Sequence, residues 1–127
     1  MSTAGDTAHT HHAIDYVEIA VTDIDVAKAF YGSAFGWSLV DYGPDYAGIQ
    51  GDGKEVGGLR RDSEVRAGGP LVIIYSEDLE RSVEAVTAAG GTILEPIYAF
   101  PGGRRFHFAD PAGNELAVWS EGSATAA

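Results

Sequence analysis

The fold is decided by "DIDVAKAFYGSAFGW", Asp23 to Trp37, and by a near-copy, "DLERSVEAVTAAGGT", Asp78 to Thr92. Each opens on an aspartate where a helix N-cap belongs. A second acid, Asp25 or Glu80, follows in the first turn, where the helix dipole favours negative charge. Val26, Ala27, Phe30 and Ala34 recur at helical spacing in the first copy, and Leu79, Val83, Val86 and Ala89 in the second. Gly36 and the pair Gly90-Gly91 supply the stops. The caps stand fifty-five residues apart, and at that offset Ile24 matches Leu79, Asp25 matches Glu80 and Leu39 matches Leu94.

Strand patterns surround each helix in the same order. "AIDYVEIAVT", from Ala13, alternates Ile14, Tyr16, Glu18 and Ala20 on one face with Val17, Ile19 and Val21 on the other. After the first helix, "WSLVDYG", "YAGIQ" and "EVGGLRR" read as short strands, parted by the turn sequences "GPD" and "GDGK". The plan restarts with "LVIIYS", the second helix, and then "TILEPIYAF", "RRFHFA" and "ELAVWS", the last two joined by the turn "DPAGN". The expectation is an α+β chain of two βαβββ modules, residues 13–62 and 63–121, that make one domain. Neither half can bury both its sheet and its helix stripe alone. Residues 1–12 and 122–127 read as a disordered tail and a frayed end.

Composition narrows the function classes. Hydrophobic residues make up 45% of the 127, enough for a core, and seventeen glycines suit a β-rich chain with tight turns. With 8 basic and 19 acidic residues the net charge is −11, a field that repels nucleic acid and anionic membrane. The absence of cysteine removes disulfides, thiolate metal sites and a cysteine nucleophile. "MSTAGDTAHTHHA" holds no signal-like apolar run, and no stretch approaches a membrane span, so a soluble cytoplasmic protein is expected.

"TDIDVAKAFYGSAFGW", the glycine pair of "EVGGL", "AVTAAGGTILEP" and "FADPAGNELAVW", taken in that order, resemble the vicinal oxygen chelate superfamily. This is the group of glyoxalase I, the bleomycin and fosfomycin resistance proteins and the extradiol dioxygenases. The resemblance spans roughly Ala13 to Ser120. It implies two βαβββ modules whose mixed sheets curl around a cavity, helices outside, and a chain that forms a homodimer. It also implies four metal positions, and these fall on Tyr16, Leu71, Ala117 and either Gly58 or Leu59. Such side chains lack the imidazole and carboxylate donors a divalent ion needs. Hence neither metal nor other cofactor is expected.

By strand alternation the cavity face carries Tyr16, Glu18, Leu71, Ile73, Tyr75, Ala117 and Trp119, a lining suited to a flat or apolar organic ligand. In "RRFHFA" two phases stay open: Arg105 and His107 enter the cavity, or Phe106 and Phe108 do. Arg104 and Arg105 could orient an anionic ligand group or form a solvated strand edge. Glu18 and an inward His107 could act as a catalytic acid–base pair, or Glu18 could be a structural partner of an arginine such as Arg105. His9, His11 and His12 read as tail residues without a fixed position. The leading expectation is a bleomycin-resistance-like small-molecule binder with vacated metal positions. The alternatives are a metal-free acid–base enzyme using Glu18 and His107, and, less favoured, a metal-dependent lyase or dioxygenase.

Overall fold

A computed structural model describes residues 9–65 and 68–122. Its elements follow the expected order: β1 (Ile14–Val21), α1 (Ile24–Phe35), β2 (Leu39–Asp41), β3 (Tyr46–Gln50), β4 (Glu55–Arg61), β5 (Leu71–Tyr75), α2 (Leu79–Ala88), β6 (Thr92–Phe100), β7 (Gly103–Ala109) and β8 (Glu115–Glu121). This is the α+β, twice-repeated βαβββ plan. Both aspartate caps form. Asp23 accepts from the Val26 amide and Asp78 from the Arg81 amide, each at 3.1 Å. Gly36 closes α1 in the left-handed region at φ 72°, a conformation that costs glycine little.

The chain divides into two compact units, Tyr16–Leu71 and residues up to Asp15 together with Val72 onward. In the first unit the strand order is β2-β3-β4-β1, with β1 and β4 parallel and the other pairs antiparallel. In the second it is β5-β8-β7-β6, with β5 and β8 parallel. The candidate residues divide accordingly. Tyr16, Glu18 and Leu71 belong to the first unit; Ile73, Tyr75, Arg105, His107, Ala117 and Trp119 belong to the second.

Each helix covers one face of its own sheet. Ile24 and Ala27 of α1 pack with Ala47, Ile49 and Leu59, flanked by Ile19, Val21, Tyr31, Trp37 and Leu39. The buried side of α1 is therefore Ile24, Ala27 and Tyr31. Val26 and Phe30, which the apolar stripe had included, are more than half exposed. The two registers differ by one residue. Because α1 is apolar on adjacent sides, spacing alone does not choose between them. In the second unit Leu79, Phe106 and Val118 form the core, with Ile74, Val83, Val86 and Phe108 against it. That settles the phase of β7. Phe106 and Phe108 lie under α2, so Arg105 and His107 stand on the opposite face, in register with Trp119 and Ala117.

Residues 9–12, expected to belong to a tail, are tied into the second unit. The His12 amide donates to the Tyr75 carbonyl at 2.6 Å, and His11 Nδ1 accepts from the Glu77 amide at 2.9 Å. The rest of that expected tail, and 123–127, lie outside the described residues.

Candidate functional site

On the helix-free face of the first unit, two opposed glycines make room for a polar network. Gly48 and Gly58 are partners in the β3–β4 ladder. A Cβ on Gly58 would lie 2.0 Å from the Tyr46 hydroxyl, and one on Gly48 would lie 2.1 Å from Glu55 Oε1. The Tyr46 ring and the Glu55 carboxylate thus lie directly on bare backbone, the usual meaning of glycine inside a strand. Over them runs a chain of short bonds. Tyr46 donates to Glu18 at 3.0 Å, its oxygen is 2.9 Å from that of Tyr16, and Tyr16 donates to Glu55 at 2.8 Å. Tyr42 and Gln50 also donate to Glu55, at 2.7 and 3.2 Å.

Glu18 is buried and finds its arginine in Arg60, at 3.4 Å. Burial pushes the Tyr16 phenol well above its ordinary value, and the bonds and charge of Tyr46 and Glu55 add to the rise. Tyr16 therefore stays protonated and serves as a donor.

The helix-free face of the second unit has a different chemistry. His107 is buried, with Nδ1 2.8 Å from Glu115 Oε2 and Nε2 2.9 Å from the Tyr98 hydroxyl. Arg105 Nε donates to that same Tyr98 oxygen at 2.5 Å, and its guanidinium lies 5.7 Å from the Phe100 ring. On the same face, Tyr75 and Trp119 meet edge to face at 5.4 Å. The His9 imidazole lies flat on Tyr75, 4.8 Å between centres and 19° between planes, and edge-on to Trp119 at 5.0 Å. Asp15 holds this arrangement by accepting from Trp119 Nε1 at 3.0 Å and lying 3.0 Å from His9 Nδ1. Arg104, by contrast, points toward α2 and pairs with Glu80 at 2.7 Å.

The sequence pointed to Glu18, His107, Tyr16, Leu71, Ile73, Tyr75, Arg105, Ala117 and Trp119, but not to Tyr46, Glu55 and Tyr98 as network partners. Gly48 and Gly58 were the available signal for the first two. Glu18 and His107 each have their own partners in their own unit. A solvent-open depression of about 500 Å³ by Thr22, Lys28, Asp41 and Arg61 has charges that pair locally, Lys28 with Asp41 at 2.7 Å and Arg61 with Asp45 at 2.8 Å.

A family model described as the glyoxalase/bleomycin resistance protein/dioxygenase superfamily matches residues 13–118. The chain belongs to this superfamily. It is 29% identical to the anthracycline biosynthesis protein DnrV of Streptomyces peucetius, over 84% of this chain and 46% of that protein. It is 28% identical to a glyoxylase-like domain-containing protein of Didymella fabae, over 85% of this chain and 93% of that one. Among solved structures, the Mn(II)-bound glyoxalase of Novosphingobium aromaticivorans aligns with a TM-score of 0.66 and 28% identity, over 87% of this chain and 39% of that one. The chain thus spans about half or less of the length of two of these relatives.

At the metal positions that the superfamily implies, the side chains are poor ligands. Tyr16 offers a phenol that burial keeps protonated; Leu71 and Ala117 are buried and carry no donor atom. The space over Gly58 holds the Tyr46 ring, and the neighbouring Leu59 packs in the core under α1. This donor set does not fit a divalent ion. Among the described residues, no group of three or more His, Asp or Glu is placed to hold one. No described helix is long and apolar enough to cross a membrane.

Proposed function

We propose that this glyoxalase-superfamily chain binds a flat, largely apolar organic molecule without a metal ion, on the aromatic face of Tyr75 and Trp119. The observation that carries the reading is the His9 imidazole stacked on Tyr75 and edge-on to Trp119. A face that accepts one planar ring suits another, because ring stacking and apolar burial are indifferent to the ring's origin. Ile73 and Ala117, both buried on this side of the sheet, add apolar surface, and Arg105 supplies a positive charge toward which an acidic substituent would turn. The S. peucetius relative, named for anthracycline biosynthesis, makes fused aromatic rings the first ligand class to try.

In this reading the ligand replaces His9, so the two compete. An anthracycline aglycone, followed by its own fluorescence, should bind the full chain and raise its melting temperature, since a ligand selective for the folded state stabilises it by mass action. His9→Ala should tighten that binding, and Trp119→Ala should weaken it about tenfold or more. Equal affinity of all three proteins would overturn the assignment of this face. The expected homodimer and cytoplasmic location belong to the same proposal, and sedimentation of the purified chain tests the first.

A further inference from the structure

The Tyr98 network needs an explanation beyond ligand binding. Glu115, His107, Tyr98 and Arg105 form an unbroken line of hydrogen bonds at 2.8, 2.9 and 2.5 Å. Donor counting gives the line a direction. An ionised carboxylate only accepts, so in the neutral ring the proton sits on His107 Nδ1 and Nε2 accepts from Tyr98. The Tyr98 oxygen, having donated its proton, accepts from Arg105. A phenol is thus held between a base able to take its proton and a cation able to face the resulting negative charge. Tyr98 is also partly open to solvent, whereas His107 behind it is buried. Reach and support are divided as general acid–base catalysis requires.

We propose that Tyr98 is a catalytic acid–base residue, with His107 and Glu115 positioning it, for proton transfer at carbon next to a carbonyl in a small aryl-bearing oxo acid. The substrate class follows from the surroundings. Phe100, 6.2 Å from Trp119, offers an aromatic wall, and Arg105, which donates to the phenol oxygen, would bring its charge beside an anionic substituent or enolate held there. The step balances without redox chemistry. In the step the Tyr98 proton passes to His107 Nε2, and the resulting phenolate takes a proton from the carbon. The C–H electron pair becomes the enolate, opposite Arg105. Protonation of the enolate at oxygen gives the enol tautomer, and return of a proton to carbon restores the oxo acid with its hydrogen exchanged for one from solvent. This rests on the reading that the second-unit face receives small organic molecules, and it goes further by assigning a reaction and three residues to it.

The probe is phenylpyruvate in D₂O with the full chain, following loss of its methylene signal by proton NMR and its binding by calorimetry. Wild type should exchange the methylene protons faster than buffer. Tyr98→Phe, which keeps the ring, should lower that rate about 10²-fold or more while binding changes little. Glu115→Gln should lower the rate with KM unchanged, as a positioning residue does. Nitrogen NMR of the histidine rings should show His107 protonated at Nδ1 and unprotonated at Nε2. Binding without accelerated exchange overturns the proposal and leaves the binding reading in place. Absence of phenylpyruvate binding, undiminished exchange in Tyr98→Phe, or a neutral His107 in the free protein with its proton on Nε2 and none on Nδ1 overturns it as well. Retained binding of the anthracycline aglycone would show that the aromatic face itself survives such a failure.

Discussion

Gly58→Ala tests the network of the first unit, because the added methyl must compete with the Tyr46 ring. An ideal Cβ there stands 2.0 Å from the Tyr46 oxygen and 2.3 Å from its ring carbon Cζ, far inside van der Waals contact. The obstacle is the outer end of a side chain, so the ring swings away and the β3–β4 ladder survives. What is lost is the bond to Glu18 and the contact with Tyr16. A hydrogen bond to a charged group contributes about 1.5–3 kcal/mol and a neutral one about 1 kcal/mol. Tyr46 is only half-buried, which places the sum at the low end, about 2–3 kcal/mol. For a chain of this length that corresponds to a fall of roughly 8–12 °C in melting temperature, at about 4 °C per kcal/mol.

Tyr46→Phe keeps the ring and loses the hydroxyl, so it should cost about 1.5–3 kcal/mol. The double variant should cost much less than the sum of the two, because both remove the same bonds. Thermal unfolding followed by near-ultraviolet circular dichroism measures all three. A Gly58→Ala protein within about 0.5 kcal/mol of wild type, or strict additivity in the double variant, would refute the placement of the ring on the glycine.

Three further expectations concern the fold and its titration. Phe106→Ala empties a fully buried position under α2 and should cost about 3–5 kcal/mol in chemical denaturation. Asp23→Ala and Asp78→Ala each remove a capping bond and should cost about 1 kcal/mol, visible in the same assay. The Tyr16 and Tyr75 phenols are raised chiefly by burial, and Tyr42 chiefly by its bond to Glu55. A phenol with a raised folded value holds its proton where the unfolded chain has lost it. Its stabilisation is therefore complete below about pH 10 and is lost as pH rises past that point. Melts between pH 8 and 11 should show stability falling above pH 10, and less steeply in Tyr16→Phe; a flat profile would contradict the assignment.

What could be read from the sequence was local. The caps at Asp23 and Asp78, the glycine stops and the strand order depend on a few adjacent residues, and the alternation in β1 assigned Glu18 to the helix-free face. Register was harder to read. Val26 with Phe30 and Ile24 with Tyr31 are both plausible apolar stripes, and only packing against Ala47 and Leu59 selects the second. In β7 both alternating sets include bulky residues, and the choice comes from Val118 opposite Phe106. Tyr98 was invisible for a similar reason. Its pairing with Arg105 follows an irregularity in β6 between Glu95 and Tyr98, which no simple alternation foresees.

The central claim is that this member of the superfamily works without the superfamily's metal ion, since its metal positions carry Tyr16, Leu71, Ala117 and glycine or a core leucine. The direct measurement is elemental mass spectrometry on the untagged full chain, incubated with manganese, nickel, zinc, iron and magnesium and then desalted. A parallel sample should carry His11→Ala and His12→Ala, which removes adventitious binding by the stacked pair near the N-terminus. The account predicts metal far below one ion per chain in the parallel sample, with binding of the flat aromatic probe unchanged. One tightly held ion per chain that persists in that sample and is lost in Tyr16→Phe would contradict it.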